Sequence, residues 1–421
     1  MPRVLLLATT TGYQTRAFGE AAERIGVDLV FATDRCDVLE DPWQDAALAI
    51  RFHHERASIE AIAKAAVAKP IDGVLAVGDR PSIIAAATCE VLELPWHPVA
   101  AVTTARSKLL TRQRLAAAGL PVPWFRAIDL DDDPRSLLPL GFPCVVKPVA
   151  LTGSRGVIRA DDEPSLVAAF NRLRSLMKAP DIRGERSEIH ETVVVEGFIE
   201  GREFAVEGLM TAGRLRTVAI FDKPDPLDGP FFEETIYVTP SSESSWAQMA
   251  IVDAVTAAAR ALGLRHGPIH AECRVNATGV CVLEVAPRPI GGLCARVLRF
   301  ADGSVSFEEL LLRHAIGQNV AHYERERRAS AVMMIPIPRR GVFRGVRGLD
   351  QARAVSGIED VRITAKTDQM LIPLPEGASY LGFIFARADD PGAAVAALRA
   401  AHERLVLDIE PEVRMLQSVH G

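Results

Sequence analysis

At 421 residues the chain is too long for one hydrophobic core, so two or three domains are expected. Hydrophobic residues make up 48% and charged residues 24%, ordinary globular usage, and no apolar run is long enough for a membrane-spanning helix. The net charge of -6 argues against general nucleic-acid binding.

Met1-Pro-Arg-Val-Leu-Leu-Leu enters an apolar strand at once and lacks a signal-peptide cleavage region, which predicts a cytoplasmic protein. The cysteines at 36, 89, 144, 273, 281 and 294 show no Cys-x-x-Cys spacing and lie mostly in apolar stretches, so reduced core thiols are expected.

Residues 1–105 alternate strands (Val4 to Ala8, Asp28 to Thr33, Gly73 to Val77) with helices (Gln14 to Ile25, Ser58 to Ala68, Pro81 to Leu92), the pattern of a doubly wound α/β domain. No Gly-x-Gly-x-x-Gly follows the first strand, so a dinucleotide site is not expected there. Asp34, Asp79 and Arg80 follow strand ends, where open α/β sheets bind ligands; they read either as substrate contacts or as helix caps.

A helix over 106–120 ends at Gly119, and Leu120-Pro-Val-Pro123 breaks the chain. Lys147 lies in the short apolar strand Pro143-Cys-Val-Val-Lys-Pro148, where an ammonium is costly unless it reaches a charged ligand or solvent. Thr152-Gly-Ser-Arg-Gly156 reads either as an ordinary turn or as a phosphate cradle. The charged stretch from Lys178 to Glu191 has little periodicity and reads as a mobile surface loop or a lid. Val193 to Ile199 reads as a buried strand running into a linker along which an adenine could lie.

Phe221 to Glu234 is long, rich in Pro and Asp, and ends in two aromatics and two acids. It reads as a flap over an amino-acid site, with Phe231 and Phe232 excluding water and Glu233 or Glu234 pairing an α-ammonium, or as a proline-stiffened surface loop. Helices over 246–262 and 305–316 are scaffold, and short β-like runs with a last helix from Ala393 to Glu403 form a small α+β domain.

The segment from His270 to Arg288 carries the most chemistry. Residues 271–275 and 280–285 alternate about the turn Asn276-Ala-Thr-Gly279, with Ala271, Cys273, Val275, Cys281, Leu283 and Val285 on an apolar face and Glu272, Arg274 and Glu284 opposite. Symmetric pairing sets Glu272 against Glu284, and like charges facing across a ladder are destabilising unless a cation lies between them. Oxygen-only ligation suits Mg2+ shared with phosphates; the other reading is an exposed hairpin with Arg274 as partner. His270 shares the face of Glu272 and is either an acid-base or substrate-contact residue or a structural histidine.

Lys108, Lys147, the Thr152 to Gly156 loop, the Glu196 to Ile199 hinge, Glu203, and Glu272 and Glu284 followed by Arg288 together resemble the ordered signature of the ATP-grasp superfamily of carboxylate-amine ligases. Gly267-Pro-Ile-His-Ala-Glu-Cys-Arg274 and Glu284-Val-Ala-Pro-Arg-Pro-Ile-Gly-Gly-Leu293 are most similar to bacterial L-amino-acid ligases and carnosine-synthase-like enzymes. The resemblance implies an α/β and α+β architecture: a Rossmann-like domain over 1–105, an ATP-grasp fold over 106–320 and a small C-terminal α+β domain over 321–421. It also implies ATP and Mg2+, with Mn2+ able to substitute, amino-acid substrates, and a homodimer, since dimers are common in the family. By the same resemblance Lys108 and Lys147 contact phosphates and Ser154, Arg155 and Gly156 cover them. Glu196, Phe198 and Ile199 hold adenine, and Glu203 takes the ribose. Glu272 and Glu284 bind Mg2+, while Arg288, with the backbone at Gly291 and Gly292, stabilises the acyl phosphate and the oxyanion.

One departure stands out. The family commonly has Glu-x-Asn in the second metal motif, and here position 286 is Ala. The implied activity is ADP-forming ligation of an amino acid's carboxylate to an amine through an acyl phosphate. Alternatives are a ligase for a dedicated intermediate or peptide, a bicarbonate-using carboxylase of the same fold, and a nucleotide-binding homologue without catalysis.

Overall fold

The computed structural model describes residues 1–9, 14–34, 47–185 and 187–412. Cys36 therefore lies outside the described residues, while Cys89, Cys144, Cys273 and Cys294 are free and buried and Cys281 is free and half-buried. Among the described residues no helix is long and apolar enough to cross a membrane.

The first unit is the expected α/β layer. Strands Leu48–Ala49, Asp28–Thr33, Arg3–Ala8 and Gly73–Val77 lie side by side and parallel. Val4 to Leu7 are fully buried because helices cover both faces of a parallel sheet. Helices Thr15–Ile25, Glu55–Ala68 and Asp79–Leu92 supply that cover.

A helix was expected over 106–120, but the chain forms two, Val99–Arg106 and Lys108–Ala117. Ser107 between them is extended, and its hydroxyl accepts the Leu110 N–H at 3.2 Å, which caps the second helix and places Lys108 at its first position. Above it lies a small antiparallel sheet in the order Phe125–Asp129, Thr192–Gly197, Cys144–Pro148 and Ile158–Ala160. The stretch 178–191, read as a mobile loop, instead contains the short helix Pro180–Arg183 and a 3-10 turn, Glu188–Glu191. Ile182 anchors it by burial in the core of the small sheet.

The large sheet has eight strands, in the order Gly279–Ala286, Gly267–Asn276, Arg202–Thr211, Arg214–Asp222, Ile236–Thr239, Ala329–Ile335, Gly382–Ala388 and Ile358–Ile363. It is continuous from the central segment into the C-terminal segment, because Ile236–Thr239 pairs with Ala329–Ile335 over four residues. Helix Ser245–Leu262, capped by Ser244 and stopped by left-handed Gly263, packs beneath it as scaffold, as expected. Helices Phe307–Ala315 and Pro391–His402 are capped by Ser306 and Asp390.

Gly156 has φ +75°, and a Cβ there would meet Leu173 at 2.9 Å; Gly153, at φ +62°, faces open space. Gly153→Ala is expected to cost about 1–2 kcal/mol of left-handed strain. Gly156→Ala adds about 1–3 kcal/mol of overpacking to that. Urea unfolding of both variants checks this, and equal midpoint shifts would show that the packing against Leu173 is not tight.

Candidate functional site

A cavity of about 290 Å3 opens between the small and the large sheet. Lys147, on Cys144–Pro148, projects from the small sheet and donates from Nζ to Glu196 Oε1 at 2.5 Å. Arg112, from the capped helix Lys108–Ala117, donates to both oxygens of the same carboxylate at 2.8 and 3.1 Å. Its Nη1 donates to the carbonyls of Val282 and Leu283 at 3.1 and 2.9 Å. Burial opposes charge on Glu196, but Arg112 and Lys147 outweigh it and hold the carboxyl at about 2. Burial brings the Lys147 ammonium down to about 8 against the pull of Glu196. The Glu196 side chain is thus committed to two cations, and what it offers an adenine is its backbone.

Phe198 and Ile199 follow on the linker and line the cavity. Phe232 sits 6.3 Å from Phe198, ring centroid to centroid, and lines the cavity too. Phe231 does not: it bridges to Ile158 and lies under the Arg172 guanidinium at 4.7 Å, so only one aromatic of the expected pair closes the site. Lys108 lines the opposite wall and donates to the Leu151 carbonyl at 2.6 Å.

The hairpin pairs Glu272 with Glu284, as expected, and Asn276 Oδ1 accepts the Thr278 N–H at 2.8 Å in the turn. Its apolar alternation is broken. A bulge follows Glu272, so Cys273 faces Val282 and Leu283 is the extra residue. Val282 and Val285 therefore fill the core, while Leu283 joins Glu284 on the cavity wall and Cys281 is only half-buried.

Three carboxylates gather at the inner end. Single oxygens of Glu203, Glu234 and Glu272 lie within 4.8 Å of one another. Lys223, which nothing in the sequence had singled out, is 3% exposed in its side chain and donates to all three at 2.8, 2.5 and 2.9 Å. Burial disfavours its charge, yet those acids raise it well above the ordinary lysine range. Burial and the neighbouring Glu272 push Glu234 up to about 8. Glu272 also accepts from Tyr237 Oη at 3.2 Å and lies 3.4 Å from His270 Nε2. His270 Nδ1 bonds the fully buried Glu207; burial works against the imidazolium, but Glu207 raises it to about 9. Glu207 thus favours the charged imidazolium, while burial raises Glu207 itself. Glu203 also accepts from Arg274 Nε at 2.9 Å.

The all-oxygen donor set suits a hard divalent cation. Glu272 and Glu284 face each other on the wall, and Ala286 adds no ligand. Glu203 and Glu234 belong to the Glu272 cluster, so the acidic environment is wider than the two expected ligands.

Arg288 is buried and donates from Nε to Asp79 Oδ2 at 3.1 Å. Asp79 lies in the first turn of helix Asp79–Leu92, after the N-cap Gly78, and its carboxylate holds Arg288 across the domain boundary. Gly291 and Gly292 line the same cavity, as does Ser154. Arg155 and Gly156 do not. Arg155 is spent on Asp181 and the Glu376 carbonyl, and Gly156 gives its N–H to Pro375 at 2.8 Å. Glu233 lies outside as well, half-buried beside the Ile337 backbone, so of the two flap acids only Glu234 enters the site.

Family comparison agrees with this geometry. The chain matches the ATP-grasp domain over residues 140–297 and the ATP-grasp N-terminal domain over 19–96. It belongs to the ATP-grasp family. Residues 333–410 match the L-amino acid ligase C-terminal domain 2, which directs the likeness toward carboxylate-amine ligases. It is 28% identical over 255 residues to alanine–anticapsin ligase of Bacillus amyloliquefaciens, covering 56% of this chain and 52% of that protein. It is 26% identical over 236 residues to carnosine synthase 1 of Homo sapiens, covering 54% of this chain and 28% of that protein. The match therefore spans about half, or less, of those relatives' own length. The crystal structure of an L-amino acid ligase from Bacillus licheniformis superposes with a TM-score of 0.79 at 25% identity, covering 97% of this chain and 99% of that one.

Arg112→Met would leave Glu196 buried with one cation and strip both hairpin carbonyls of their donor. A loss of about 3–5 kcal/mol in urea unfolding is expected. A loss below about 1 kcal/mol would show that the guanidinium is dispensable.

Proposed function

We propose that the chain is an ADP-forming ligase that joins the carboxylate of an amino acid to the amine of a second amino acid through an acyl phosphate. The observation that carries this reading is the convergence of Lys108, Lys147, Glu272, Glu284 and Arg288 on one cavity. ATP is the phosphoryl donor, with Lys108 and Lys147 at its phosphates, Ser154 over them, Phe198 and Ile199 at the adenine and Glu203 at the ribose. Glu272 and Glu284 would hold Mg2+, or Mn2+ in its place, and the ion would neutralise charge on the transferred phosphoryl group.

A carboxylate does not acylate an amine in neutral water because its oxygen is a poor leaving group. Its oxygen therefore attacks the γ-phosphorus, the bond to ADP breaks, and the acyl phosphate supplies a leaving group that an amine can displace. Displacement passes through an oxyanion, and preorganised positive groups lower that barrier most. Arg288, fixed by Asp79, and the charged His270, fixed by Glu207, are the side chains in position to do so. Glu234, held near neutral by its neighbours, is suited to a hydrogen bond with the donor's ammonium on the cavity side.

The test is ADP and phosphate release from Mg-ATP with purified protein and pairs of the twenty amino acids plus β-alanine. We expect release that needs both partners, a product mass equal to their sum less water, and at least a hundredfold loss in Glu284→Gln, the scale of losing one group that stabilises transition-state charge. ATP bound without turnover for any pair would sink the amino-acid reading, and no ATP binding would sink the nucleotide site.

A further inference from the structure

A second cavity, of about 360 Å3, lies beyond the first and shares Lys108, Glu284, Arg288, Gly291 and Gly292 with it. Its far wall is built by the N-terminal α/β unit, where strands Arg3–Ala8 and Gly73–Val77 end at Thr9 and Gly78. Open parallel sheets bind ligands at that edge. Arg80 and Arg106 line this cavity and not the nucleotide cavity.

Charge accounting separates the two spaces. In the second cavity the Asp79 carboxylate is taken by Arg288 at 3.1 Å, and Glu185 is taken by His190 at 2.9 Å. Arg155 is committed to Asp181 and the Glu376 carbonyl, while Lys108 gives one donor to the Leu151 carbonyl and faces the first cavity as well. Arg106 is half-buried and, among the described residues, makes no hydrogen bond; its charge and that of Arg80 both act on Glu185 without contacting it closely. Arg80 reaches Glu185 only at 3.7 Å, beyond hydrogen-bond length, and otherwise lies against the Phe52 ring at 5.7 Å. Two guanidinium groups thus face one cavity with unused donors. A partly desolvated guanidinium is costly when unpaired and matches a carboxylate in a two-pronged geometry. The inner end of the first cavity differs, since Glu203, Glu234 and Glu272 cluster there around Lys223.

We infer that the second cavity receives the carboxylate of the amine-bearing substrate, held by Arg80 and Arg106. This rests on the ligase reading above and adds to it the two side chains that select an acceptor carrying its own carboxylate over a neutral amine. The shared wall at Arg288, Gly291 and Gly292 is where its nitrogen would meet the activated acyl carbon. The ammonium first gives one proton to solvent, the free amine then forms the nitrogen-carbon bond to give the oxyanion, and as that collapses the bond to phosphate breaks and the nitrogen's second proton passes to solvent.

Calorimetric titration tests this without needing turnover. Wild type, Arg106→Gln and Arg80→Gln are saturated with Mg2+ and a non-hydrolysable ATP analogue. They are then titrated with each of the twenty amino acids and β-alanine, and with the carboxamides of those that bind. At least one amino acid is expected to bind whose affinity falls about tenfold or more in each variant, the scale of a lost charge-assisted hydrogen bond, and whose amide binds wild type as weakly. Affinity for the nucleotide analogue should stay within about twofold, which shows that the variants fold. The inference is overturned if no amino acid binds, if acid and amide bind alike, or if both variants bind as wild type does. Arginine-dependent binding combined with no ADP release from any pair would leave this site standing and sink the ligase reading, so the two failures are distinguishable.

Discussion

The two lobes of the site meet on one buried guanidinium. Arg112 takes both oxygens of Glu196 in the small sheet and two carbonyls of the hairpin in the large sheet, and it is 1% exposed. Such a group is costly to dehydrate, and its cost is offset only when its donors find partners. The bulge makes that arrangement available, because an extra residue in a ladder interrupts regular pairing and leaves carbonyls for another donor. The same bulge turns Leu283 out of the core and sets it beside Glu284. One local irregularity therefore joins the lobes, shapes the cavity floor and places a carboxylate on its wall.

Much of this was legible in the sequence, and the misses have physical causes. The α/β unit could be read element by element because buried parallel strands are continuous apolar runs and their helices end at strong stop signals. The Glu272–Glu284 pairing followed from period-two alternation around an Asn-x-x-Gly turn. The bulge did not follow, since one inserted residue leaves the composition of the strand unchanged. Arg112 and Lys223 were invisible for a different reason. Each sits in an unremarkable local context, and its partners are separated from it along the chain, by 84 to 171 residues for Arg112 and by 11 to 49 for Lys223. Ser107 was overlooked because a single capping serine inside a helical pattern looks like a tolerated helix residue until its hydroxyl is seen to end one helix and begin another.

The site is divided by charge as well as by shape. Acids concentrate around Lys223, where Glu203, Glu234 and Glu272 gather. Guanidinium groups concentrate on the side facing the N-terminal unit. Arg288 stands between, and Asp79 fixes it there, so a residue of the first domain positions a cation of the second. That ion pair links the N-terminal unit to the wall that the two cavities share.

The C-terminal segment adds a third constraint. Its strands extend the large sheet, so it cannot shift independently of the cavity floor. From it the stretch 373–380 reaches over the site: Ala378, Ser379 and Tyr380 line the cavity, Pro375 accepts the Gly156 N–H, and Glu376 pairs with Arg172 at 2.8 Å. An exposed pair such as Arg172–Glu376 adds little stability by itself, roughly 0–1 kcal/mol. Its effect is geometric. It ties the small sheet, which carries Lys147 and the glycine loop, to a strand system that continues into Glu272 and Glu284. Two bonds thus join the roof of the cavity to the sheet that forms its floor, and they set Lys147 and the glycine loop in a fixed relation to Glu272 and Glu284.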